Sequence, residues 1–495
     1  MVVGRGSLRR FSYTAPVLGI AVTLGIAGCS GDSASSGVGQ EESVSSRRLS
    51  VSTPASAFPA TFARQWMVNL ANSVKGDGVS PPVAARTYAY GAIALYESVV
   101  HGMPGYRSLA GQLNGLSSLP QPDGGLDYDW PSVMAATMSR LVVEPGPTGP
   151  GNPIPPPPAP GAPVDTPGLY VYPLRLFFEF TTLTQASLKG LAPIQLGLRK
   201  TAGVPQNVID NSVAYGTQLG NAIVAWANSD GYAEIRFKGY VPPKCDSCWV
   251  PTGFSDTAKI ANPLEPGFGT LRPLVLHTPD ECAPAPHVPF STDPASEFYA
   301  QANTVFQTDA NLTQDQVDIA RFWEDGPGAT ATPPGHWVAI TTKFVRSKTL
   351  ADAASAYAFV SIGFYDSFIS CWQTKYQYNL LRPETYIRRY VAGGSGWKGL
   401  LGVPQFSSYT SGHSTQSGAS AVLMTEVFGS GPFTDDTKLR RGFNARTYSS
   451  FTAASEEAAV SRLYGGIHYP MDNNVGLTQG QCVGNAVASR VHLTL

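Results

Sequence analysis

Apolar residues three and four positions apart, the spacing of an amphipathic helix, recur over most of the chain. The spacing runs through about residues 58–142 and 169–227, and it dominates again from residue 294 to the end. Pro81 and Pro82 open one of these helices, since proline is tolerated in a first turn. No long stretch alternates apolar and polar residues as a half-buried strand does. The pattern therefore predicts an all-α protein.

Two irregular regions interrupt the helical pattern. Residues 144–168 are dominated by proline and glycine, with four consecutive prolines at 155–158, which is typical of an extended surface segment. Residues 231–293 carry many prolines and a Cys-x-x-Cys motif. We therefore predict an N-terminal helical region at 56–293, which contains both insertions, and a C-terminal domain at 294–495.

One helical segment occurs twice. Residues 84–98 resemble residues 353–367, with alanine, aromatic and acidic positions in constant register, and Trp66 and Trp337 lie one helix earlier in each copy. Two related helical bundles, each burying an aromatic stripe, would produce this pattern. Chance similarity between two helices rich in alanine and tyrosine is the alternative.

The first 29 residues have the layout of a secretory signal. Arg5, Arg9 and Arg10 precede an apolar run at about 15–27, which is too short to span a membrane. The run ends in Ile-Ala-Gly followed by Cys29. This ending resembles a bacterial lipobox, in which the cysteine is lipidated and becomes the mature N-terminus. An ordinary signal peptide with an incidental cysteine is the alternative.

A stretch rich in serine and glycine at 30–55 follows Cys29 and is typical of a flexible tether. No later stretch of the sequence is apolar enough to cross a membrane. We therefore expect an exported protein of the bacterial cell envelope, on the periplasmic side or the outer surface. Its membrane contact would be limited to the lipid on Cys29.

Composition narrows the function classes. The 34 Lys and Arg against 35 Asp and Glu give a net charge of −1, which argues against a general nucleic-acid binder. Charged residues make up 14% of the chain, while Gly and Pro number 51 and 41. With 43% hydrophobic residues, wholesale disorder is excluded. This balance indicates long ordered loops around a rigid core.

Five cysteines follow Cys29, and an exported compartment permits disulfides. Cys245 and Cys248 form the Cys-x-x-Cys motif, with a further cysteine and two histidines nearby. We favour a disulfide over a structural zinc, because the chain has no second Cys-x-x-Cys motif. One cysteine must remain unpaired.

Two segments of the C-terminal region carry groups that bind anions. Lys375 and Arg382 are seven residues apart, which would place both cations on one face of a helix that Pro383 ends or kinks. Ser411-Gly412-His413 offers a hydroxyl, an accessible backbone N–H and a proton donor. A run of small and apolar residues at 419–428 predicts a helix behind it, and a helix N-terminus favours anions.

A third segment runs from Ser461 to Asp472. Arg462 can donate two hydrogen bonds to an oxyanion, and Asp472, four residues after His468, can accept the second N–H of its imidazole. Each feature alone is most often structural, such as a satisfied histidine or an ordinary turn. Together, three cations, a free N–H and two histidines indicate a site that binds and transforms a tetrahedral oxyanion.

The three segments match the signature K-x6-R-P, S-G-H and S-R-x5-H-x3-D. The chain thereby resembles the superfamily of type 2 phosphatidic acid phosphatases and vanadium-dependent haloperoxidases, with Thr410 where proline usually precedes S-G-H. Phe-Trp-Glu-Asp-Gly at 322–326, followed by Thr-Pro-Pro at 332–334, is similar to the soluble haloperoxidase branch. In that branch an aspartate pairs with the arginine of the first motif, which implies Asp325 with Arg382.

The resemblance implies a vanadate cofactor, whose site phosphate can also occupy. Halide and hydrogen peroxide would be the substrates and hypohalous acid the product. Asp472 would orient His468 as the axial vanadium ligand, His413 would act as acid and base, and Lys375 would polarise the bound peroxide. The groups that hold the oxyanion would be Lys375, Arg382, Arg462, Ser411 and the Gly412 N–H, with Trp372 and Phe406 as the aromatic residues of the site.

The same residues suit a soluble acid phosphatase acting on a phosphomonoester. His468 would then attack phosphorus to form a phosphohistidine, and His413 would protonate the leaving group. The large N-terminal bundle, the missing membrane spans and the Asp-Gly segment favour the haloperoxidase. A surface lipoprotein without activity is a third hypothesis, which the complete residue set disfavours. We interpret His336, near the site in sequence, as a structural or supporting residue.

Overall fold

The computed structural model describes residues 53–142, 187–188, 190–236, 238–252 and 263–495. These residues form helices joined by long loops, and their one sheet is a two-stranded antiparallel hairpin. The predicted all-α class is confirmed. The α-helices are α1 (Thr61–Gly76), α2 (Pro81–Glu97), α3 (Trp130–Val142), α4 (Leu191–Thr201), α5 (Gln206–Ala227), α6 (Tyr232–Ile235), α7 (Glu297–Ala310), α8 (Gln314–Phe322), α9 (Thr332–Phe344), α10 (Leu350–Tyr378), α11 (Pro383–Tyr390), α12 (Gly412–Phe428), α13 (Phe451–Tyr464) and α14 (Pro470–Arg490).

The hairpin pairs β1 (Phe433–Asp435) with β2 (Arg446–Tyr448), with Phe433 opposite Tyr448. Short 3₁₀ turns occupy Ala55–Ala57, Val100–Gly102, Phe268–Thr270 and Leu439–Arg441. Several predictions fall outside the described residues: the signal peptide at 1–29 with Cys29, nearly all of the tether at 30–55, and the Pro-rich segment at 144–168. The boundary that the sequence places at residue 294 stays a prediction.

Two helical bundles meet at the long helices α2 and α10, which pack against each other. In the first bundle, α2 packs with α1, α3 and α5. In the second, α10 packs with α9, α12 and α14. The pairs α3–α5 and α12–α14 are each closely packed and take corresponding places. The two related bundles that the repeat predicts are therefore present.

Equivalent residues of the two copies also make equivalent contacts. Glu97 and Asp366 are both buried at corresponding positions. Glu97 accepts the backbone N–H of Leu109 at 2.6 Å, and Asp366 accepts three backbone N–H groups of a loop, starting with Leu274 at 2.7 Å. In each bundle the acid therefore satisfies loop donors that burial would otherwise leave unpaired.

The tryptophans one helix earlier, Trp66 and Trp337, also make equivalent hydrogen bonds in the two copies. The indole N–H of Trp66 donates to Gln195 and that of Trp337 to Ser417, each at 3.0 Å. Both indoles are fully buried, so each N–H needs a hydrogen-bond partner inside the protein.

The Cys-x-x-Cys motif forms a disulfide between Cys245 and Cys248, as predicted. Its loop pairs with the chain that follows α10, because Trp249 N–H donates to Asn379 O and Leu381 N–H to Ser247 O, both at 2.8 Å. The irregular region thus braces the segment that leads from α10 to α11.

A second disulfide joins Cys282 to Cys482 in α14, and Cys371 is free and buried. This bond ties the irregular region to the second bundle. Among the helices described, none has an apolar stretch long enough to span a bilayer.

Candidate active site

The three motif segments converge on one place in the second bundle. Lys375 lies in the last turn of α10, Ser411 is the N-cap of α12, and Arg462 lies in the last turn of α13. His468 precedes α14, whose first turn contains Asp472. All five of these residues are at most 2% exposed.

Arg382 departs from the sequence-based expectation. It does not share a helix face with Lys375, because α10 ends at Tyr378 and Asn379 follows in the left-handed conformation with φ 47°. Arg382 is instead the N-cap of α11, and Pro383 occupies the first position of that helix. The prediction of one continuous face is therefore wrong, although the structure still brings the two cations together.

Lys375 is held by backbone oxygens. Its Nζ donates to the carbonyls of Ser407 at 3.0 Å and Ser408 at 2.8 Å. The ammonium group has no carboxylate partner within salt-bridge distance in the described structure. Burial, assisted by the charge of Arg382, lowers the pKa of Lys375.

The Arg382 guanidinium is fully buried with one nitrogen unsatisfied. Its Nε donates to Phe406 O and its Nη1 to Ile467 O, both at 2.8 Å, and Nη1 lies 3.0 Å from His468 Nε2. Nη2 is buried and has no hydrogen-bond partner among the residues that the structure describes. Burial lowers the pKa of Arg382 to about 10, so the group stays charged at neutral pH.

Arg462 supplies the third cation. Its Nε donates to Ser461 Oγ at 3.0 Å and its Nη2 to Ala320 O at 2.9 Å. Burial lowers its pKa to about 10, and the charge of Asp325 acts in the opposite direction. Like the other two cations, it forms no salt bridge among the residues that the structure covers.

The N-terminus of α12 forms the floor between these cations. The helix starts at Gly412, earlier than the run at 419–428 that predicts it, and Ser411 Oγ accepts the N–H of Ser414. A first-turn N–H such as that of Gly412 has no partner within its helix. A Cβ at Gly412 would lie 3.4 Å from the ring of Trp372, so glycine keeps the space above this N–H open.

His413 follows in the first turn of α12. Its Nε2 is buried and has no hydrogen-bond partner in the described part of the chain. Burial, together with the charge of Arg462, lowers the pKa of His413 well below 6.5, although Asp325 and a hydrogen bond to the backbone of Trp323 oppose the shift. The imidazole is therefore neutral at neutral pH and can accept a proton.

His468 is oriented by Asp472. Its Nδ1 lies 2.9 Å from Asp472 Oδ2, which also accepts the Ser408 hydroxyl at 2.5 Å and the Tyr469 N–H at 3.2 Å. Because a carboxylate accepts and Arg382 donates, the proton lies on Nδ1 and the lone pair on Nε2. Burial and the charges of Arg382 and Lys375 lower the pKa of His468 well below 6.5.

A cavity of about 500 Å³ opens above this floor. Its wall includes Phe368, Trp372, Phe406, His413, Arg462 and His468. The rings of Trp372 and Phe406 lie 4.9 Å apart, and Phe406 lies 5.0 Å from Lys375 Nζ and 4.8 Å from the Arg382 guanidinium. Aromatic rings thus cover the buried cations on the cavity side.

Asp325 lines the cavity but does not pair with Arg382, which corrects the pairing that the resemblance implied. Its carboxylate binds His336 Nδ1 at 2.9 Å and Lys438 Nζ. The donors of Arg382 point to Phe406, Ile467 and His468 instead. Burial raises the pKa of Asp325, but Lys438 and His336 outweigh it and hold the pKa below its usual range.

Several contributing residues were not found from the sequence. Ser407 and Ser408 hold Lys375 through carbonyl oxygens, and backbone contacts leave no signal in residue type. Lys438 and Asp435 lie beyond the S-G-H motif and reach the site by tertiary folding alone. The end of α10 did have a signal, since asparagine often follows the last helical residue and proline the turn after it.

The electrostatics of the site call for an anion. Three buried basic side chains surround two neutral histidines, and the charge of Asp472 acts on Lys375 and Arg382 while that of Asp325 acts on Arg462. Uncompensated buried charge is costly unless a partner neutralises it. Among the described residues, Arg382 Nη2 is an unsatisfied donor that could bind an oxyanion oxygen. His413 Nε2 is an unsatisfied acceptor that could take a proton from a molecule reacting with the oxyanion.

Comparison with known proteins adds an independent finding. A family model described as the VCPO second helical-bundle domain matches residues 355–495. The structure is similar to that of the first bacterial vanadium-dependent iodoperoxidase, with 31% sequence identity and a TM-score of 0.74 over 88% of this chain and 97% of that one. The search of curated proteins returned no match.

Two structures of a bacterial vanadium-dependent chloroperoxidase are also similar. The holo form has 13% identity and a TM-score of 0.56 over 84% of this chain and 95% of that one. The apo form has 12% identity and a TM-score of 0.59 over 88% and 98%. At this level of identity the two structures establish the fold alone.

Proposed function

The chain belongs to the vanadium-dependent haloperoxidase family, and from that premise we propose that it oxidises a halide with hydrogen peroxide to hypohalous acid, using bound vanadate. The observation that carries the proposal is the set of three buried cations around the N-terminus of α12, none of which has a salt-bridge partner among the described residues. This set fits a tetrahedral oxyanion in charge and in hydrogen-bond donors.

The groups that would hold vanadate follow from the donors present. Arg382 Nη2 is buried and unsatisfied, and the Gly412 N–H begins a helix. His468 Nε2 carries the lone pair that a vanadium ligand needs. The full proposed set is Lys375, Arg382, Arg462, Ser411 and Gly412 for the oxygens and His468 for the metal. When bound, vanadate supplies an electrophilic centre that activates hydrogen peroxide for attack by the halide.

His413 is the proposed acid and base. It is neutral at neutral pH because burial and Arg462 lower its pKa, so it can accept a proton from hydrogen peroxide on binding. The reaction consumes a halide ion, hydrogen peroxide and a proton and gives hypohalous acid and water. Two electrons pass from the halide to the O–O bond, and His413 returns its proton to the oxygen that leaves as water.

Lys375 and Asp472 support this chemistry from below the cavity. Ser407 and Ser408 fix the amino group of Lys375, and its positive charge would stabilise negative charge on a bound oxyanion. Asp472 accepts the Nδ1 proton of His468, which keeps Nε2 free of a proton.

The aromatic wall suits a polarisable halide. Trp372 and Phe406 present apolar surface beside the cations. An apolar surface that excludes water strengthens the electrostatic interactions inside the site. We propose iodide as the first halide to test, because the relative with 31% identity is an iodoperoxidase.

The experiment runs two reactions in parallel on one protein sample. The mature protein is assayed with orthovanadate, hydrogen peroxide and iodide for triiodide formation, and without vanadate for phosphate release from p-nitrophenyl phosphate. We expect triiodide only in the complete mixture and negligible phosphate release. Steady phosphate release without triiodide would replace this proposal with the phosphatase that the shared motif also allows.

We further propose that the protein is exported to the bacterial cell envelope and anchored by a lipid on Cys29. The support is the apolar run at 15–27, which is followed directly by Gly28 and Cys29. Mass spectrometry of the mature N-terminus tests it. A diacylated or triacylated Cys29 is the expected result, and an unmodified N-terminus elsewhere would contradict it.

A further inference from the structure

His336 lies between two carboxylates beside the active site. Its Nδ1 is 2.9 Å from Asp325 Oδ2, and its Nε2 is 2.8 Å from Asp435 Oδ2. Lys438 also binds Asp325. All four residues are at most 5% exposed, so water does not compensate their charges.

The two contacts fix the protonation of His336. A carboxylate oxygen only accepts hydrogen bonds, so both ring nitrogens must donate and the ring must be an imidazolium. Burial and the charge of Lys438 oppose this state, but Asp325 and Asp435 outweigh them and raise the pKa of His336.

Among the described residues, the charged groups that act on the ring are Asp325, Asp435 and Lys438, and the charge of His336 acts in turn on His413. Asp325 comes from the loop after α8, Asp435 from β1, and Lys438 from the segment after β1. The end of α8 contributes only aromatic rings, with Trp323 at 4.5 Å and Phe322 at 5.6 Å between centroids. Two carboxylates, Lys438 and a protonated His336 give the cluster a net charge of zero.

The cluster reaches the oxyanion site through Asp325. This residue lines the same cavity wall as His413 and Arg462, and its charge acts on both of them. Loss of the His336 charge would leave one uncompensated negative charge at the wall of a pocket that must attract an anion.

We propose that His336 is a positioning residue that acts on the oxyanion pocket through Asp325. As an imidazolium, it fixes the Asp325 carboxylate at the cavity wall and cancels its charge, so that the pocket keeps its net attraction for an oxyanion. This inference rests on the oxyanion site of the proposed function. The resemblance to the haloperoxidase branch does not imply it, since it pairs the aspartate with Arg382.

A series of charge variants tests the inference on the mature protein, with orthovanadate binding measured by isothermal titration calorimetry at pH 7. H336Q makes the cluster charge −1, D435N makes it +1, and the double variant H336Q/D435N restores zero. We expect about 3- to 10-fold weaker binding for H336Q, as for one charge at intermediate range in a partly dry site. The double variant is expected within about 2-fold of wild type, and D435N at least as tight as wild type.

Lys343→Gln is the matched control. Lys343 lies on the same helix as His336, α9, and its replacement by glutamine also removes one positive charge near the hairpin. Unlike His336, its side chain is 37% exposed and pairs with Asp436. Solvent screens this charge, so we expect less than a 2-fold change. Thermal unfolding of every variant monitors folding, and D435N keeps His336 in place if H336Q does not fold.

A second measurement reports the protonation state of His336 directly. Nitrogen NMR of labelled histidine, with the signal assigned by its loss in H336Q, is expected to show both ring nitrogens protonated at pH 7. An unprotonated nitrogen would overturn the inference. So would an H336Q affinity within 2-fold of wild type, or a double variant as weak as H336Q.

The two proposals fail in different ways. Absence of orthovanadate binding in the wild type would overturn the proposed function and the effect on the pocket together. If the wild type binds orthovanadate normally and the variants bind it with the same affinity as the wild type, only the role of His336 is overturned.

Discussion

His468 Nδ1 lies 2.9 Å from Asp472 Oδ2, and the same carboxylate oxygen accepts the N–H of Tyr469 at the start of α14. One side chain therefore begins a helix and sets the tautomer of the proposed vanadium ligand. The same contacts that begin α14 therefore also orient His468.

Asp472→Ala removes both functions. We expect orthovanadate affinity to fall about 10- to 100-fold, the usual effect of removing the partner that orients a ligand histidine, and stability to fall by about 1 kcal/mol from the lost cap. Calorimetric titration and thermal unfolding measure the two effects. Asp472→Asn keeps an acceptor oxygen and is the control, expected to lose less of both, and equal losses in the two variants would contradict the tautomer argument.

The depressed pKa of His468 predicts a pH dependence of stability. Below pH 6.5 the unfolded chain takes up a proton at this histidine, whereas the folded protein does not because burial and nearby cations lower its pKa. Stability is therefore lost as the pH falls. Between pH 7.5 and 5.5 the contribution is about 1 kcal/mol.

Denaturant unfolding of wild type and His468→Gln at the two pH values measures this contribution. The variant is expected to lose about 1 kcal/mol less than wild type on acidification. His492→Gln, at an exposed histidine, is expected to behave as wild type. An identical pH dependence in wild type and His468→Gln would show that His468 takes up a proton in the folded protein.

Phe406 covers Lys375 and Arg382, with its ring centroid 5.0 Å and 4.8 Å from their charged groups. Phe406→Ala admits water and weakens their attraction for an oxyanion, so we expect orthovanadate affinity to fall about 3- to 10-fold. Phe406→Leu keeps an apolar cover and is expected to fall less than 3-fold. Calorimetric titration checks both, and unchanged affinity in Phe406→Ala would mean that the ring does not shield these cations.

The two disulfides are expected to contribute differently. Cys282–Cys482 closes a loop of 200 residues, and Cys245–Cys248 a loop of three. By the chain-entropy estimate, replacing the first pair by serine costs about 5 kcal/mol of stability and replacing the second about 2 kcal/mol. Denaturant unfolding measures both, and equal losses would contradict the loop-length argument.

The short disulfide is expected to affect the site as well as stability. Its loop pairs with Asn379 and Leu381, between the site cations Lys375 and Arg382. We expect the Cys245→Ser and Cys248→Ser double variant to bind orthovanadate about 3-fold more weakly, because loss of local bracing lets Arg382 move. Unchanged affinity by calorimetric titration would exclude this bracing role.

Local pattern predicted much of this fold. Helical periodicity gave the all-α class, and the constant register between residues 84–98 and 353–367 predicted the two bundles, because both signals arise from neighbours along one helix face. The run of small and apolar residues at 419–428 likewise predicted the C-terminal part of α12. What spacing could not predict was the end of α10 at Tyr378, where Asn379 adopts the left-handed conformation.

Contacts between residues that are distant in sequence could not be predicted for a different reason. Asp325 binds Lys438, and His336 binds Asp435, through contacts between segments about 100 residues apart. No periodicity links such residues. The carbonyls that hold Lys375 carry no side-chain signal at all, so the surroundings of the motif were visible only in three dimensions.

Bound vanadate is proposed to make this protein a haloperoxidase. A titration of the vanadate-free mature protein with orthovanadate tests this most directly, with binding followed by calorimetry and triiodide formation followed with iodide and hydrogen peroxide on the same samples. We expect both curves to rise together and to saturate at one vanadate per chain, and His468→Ala to abolish both. Saturable binding without peroxide-dependent triiodide, bromide or chloride oxidation would contradict it.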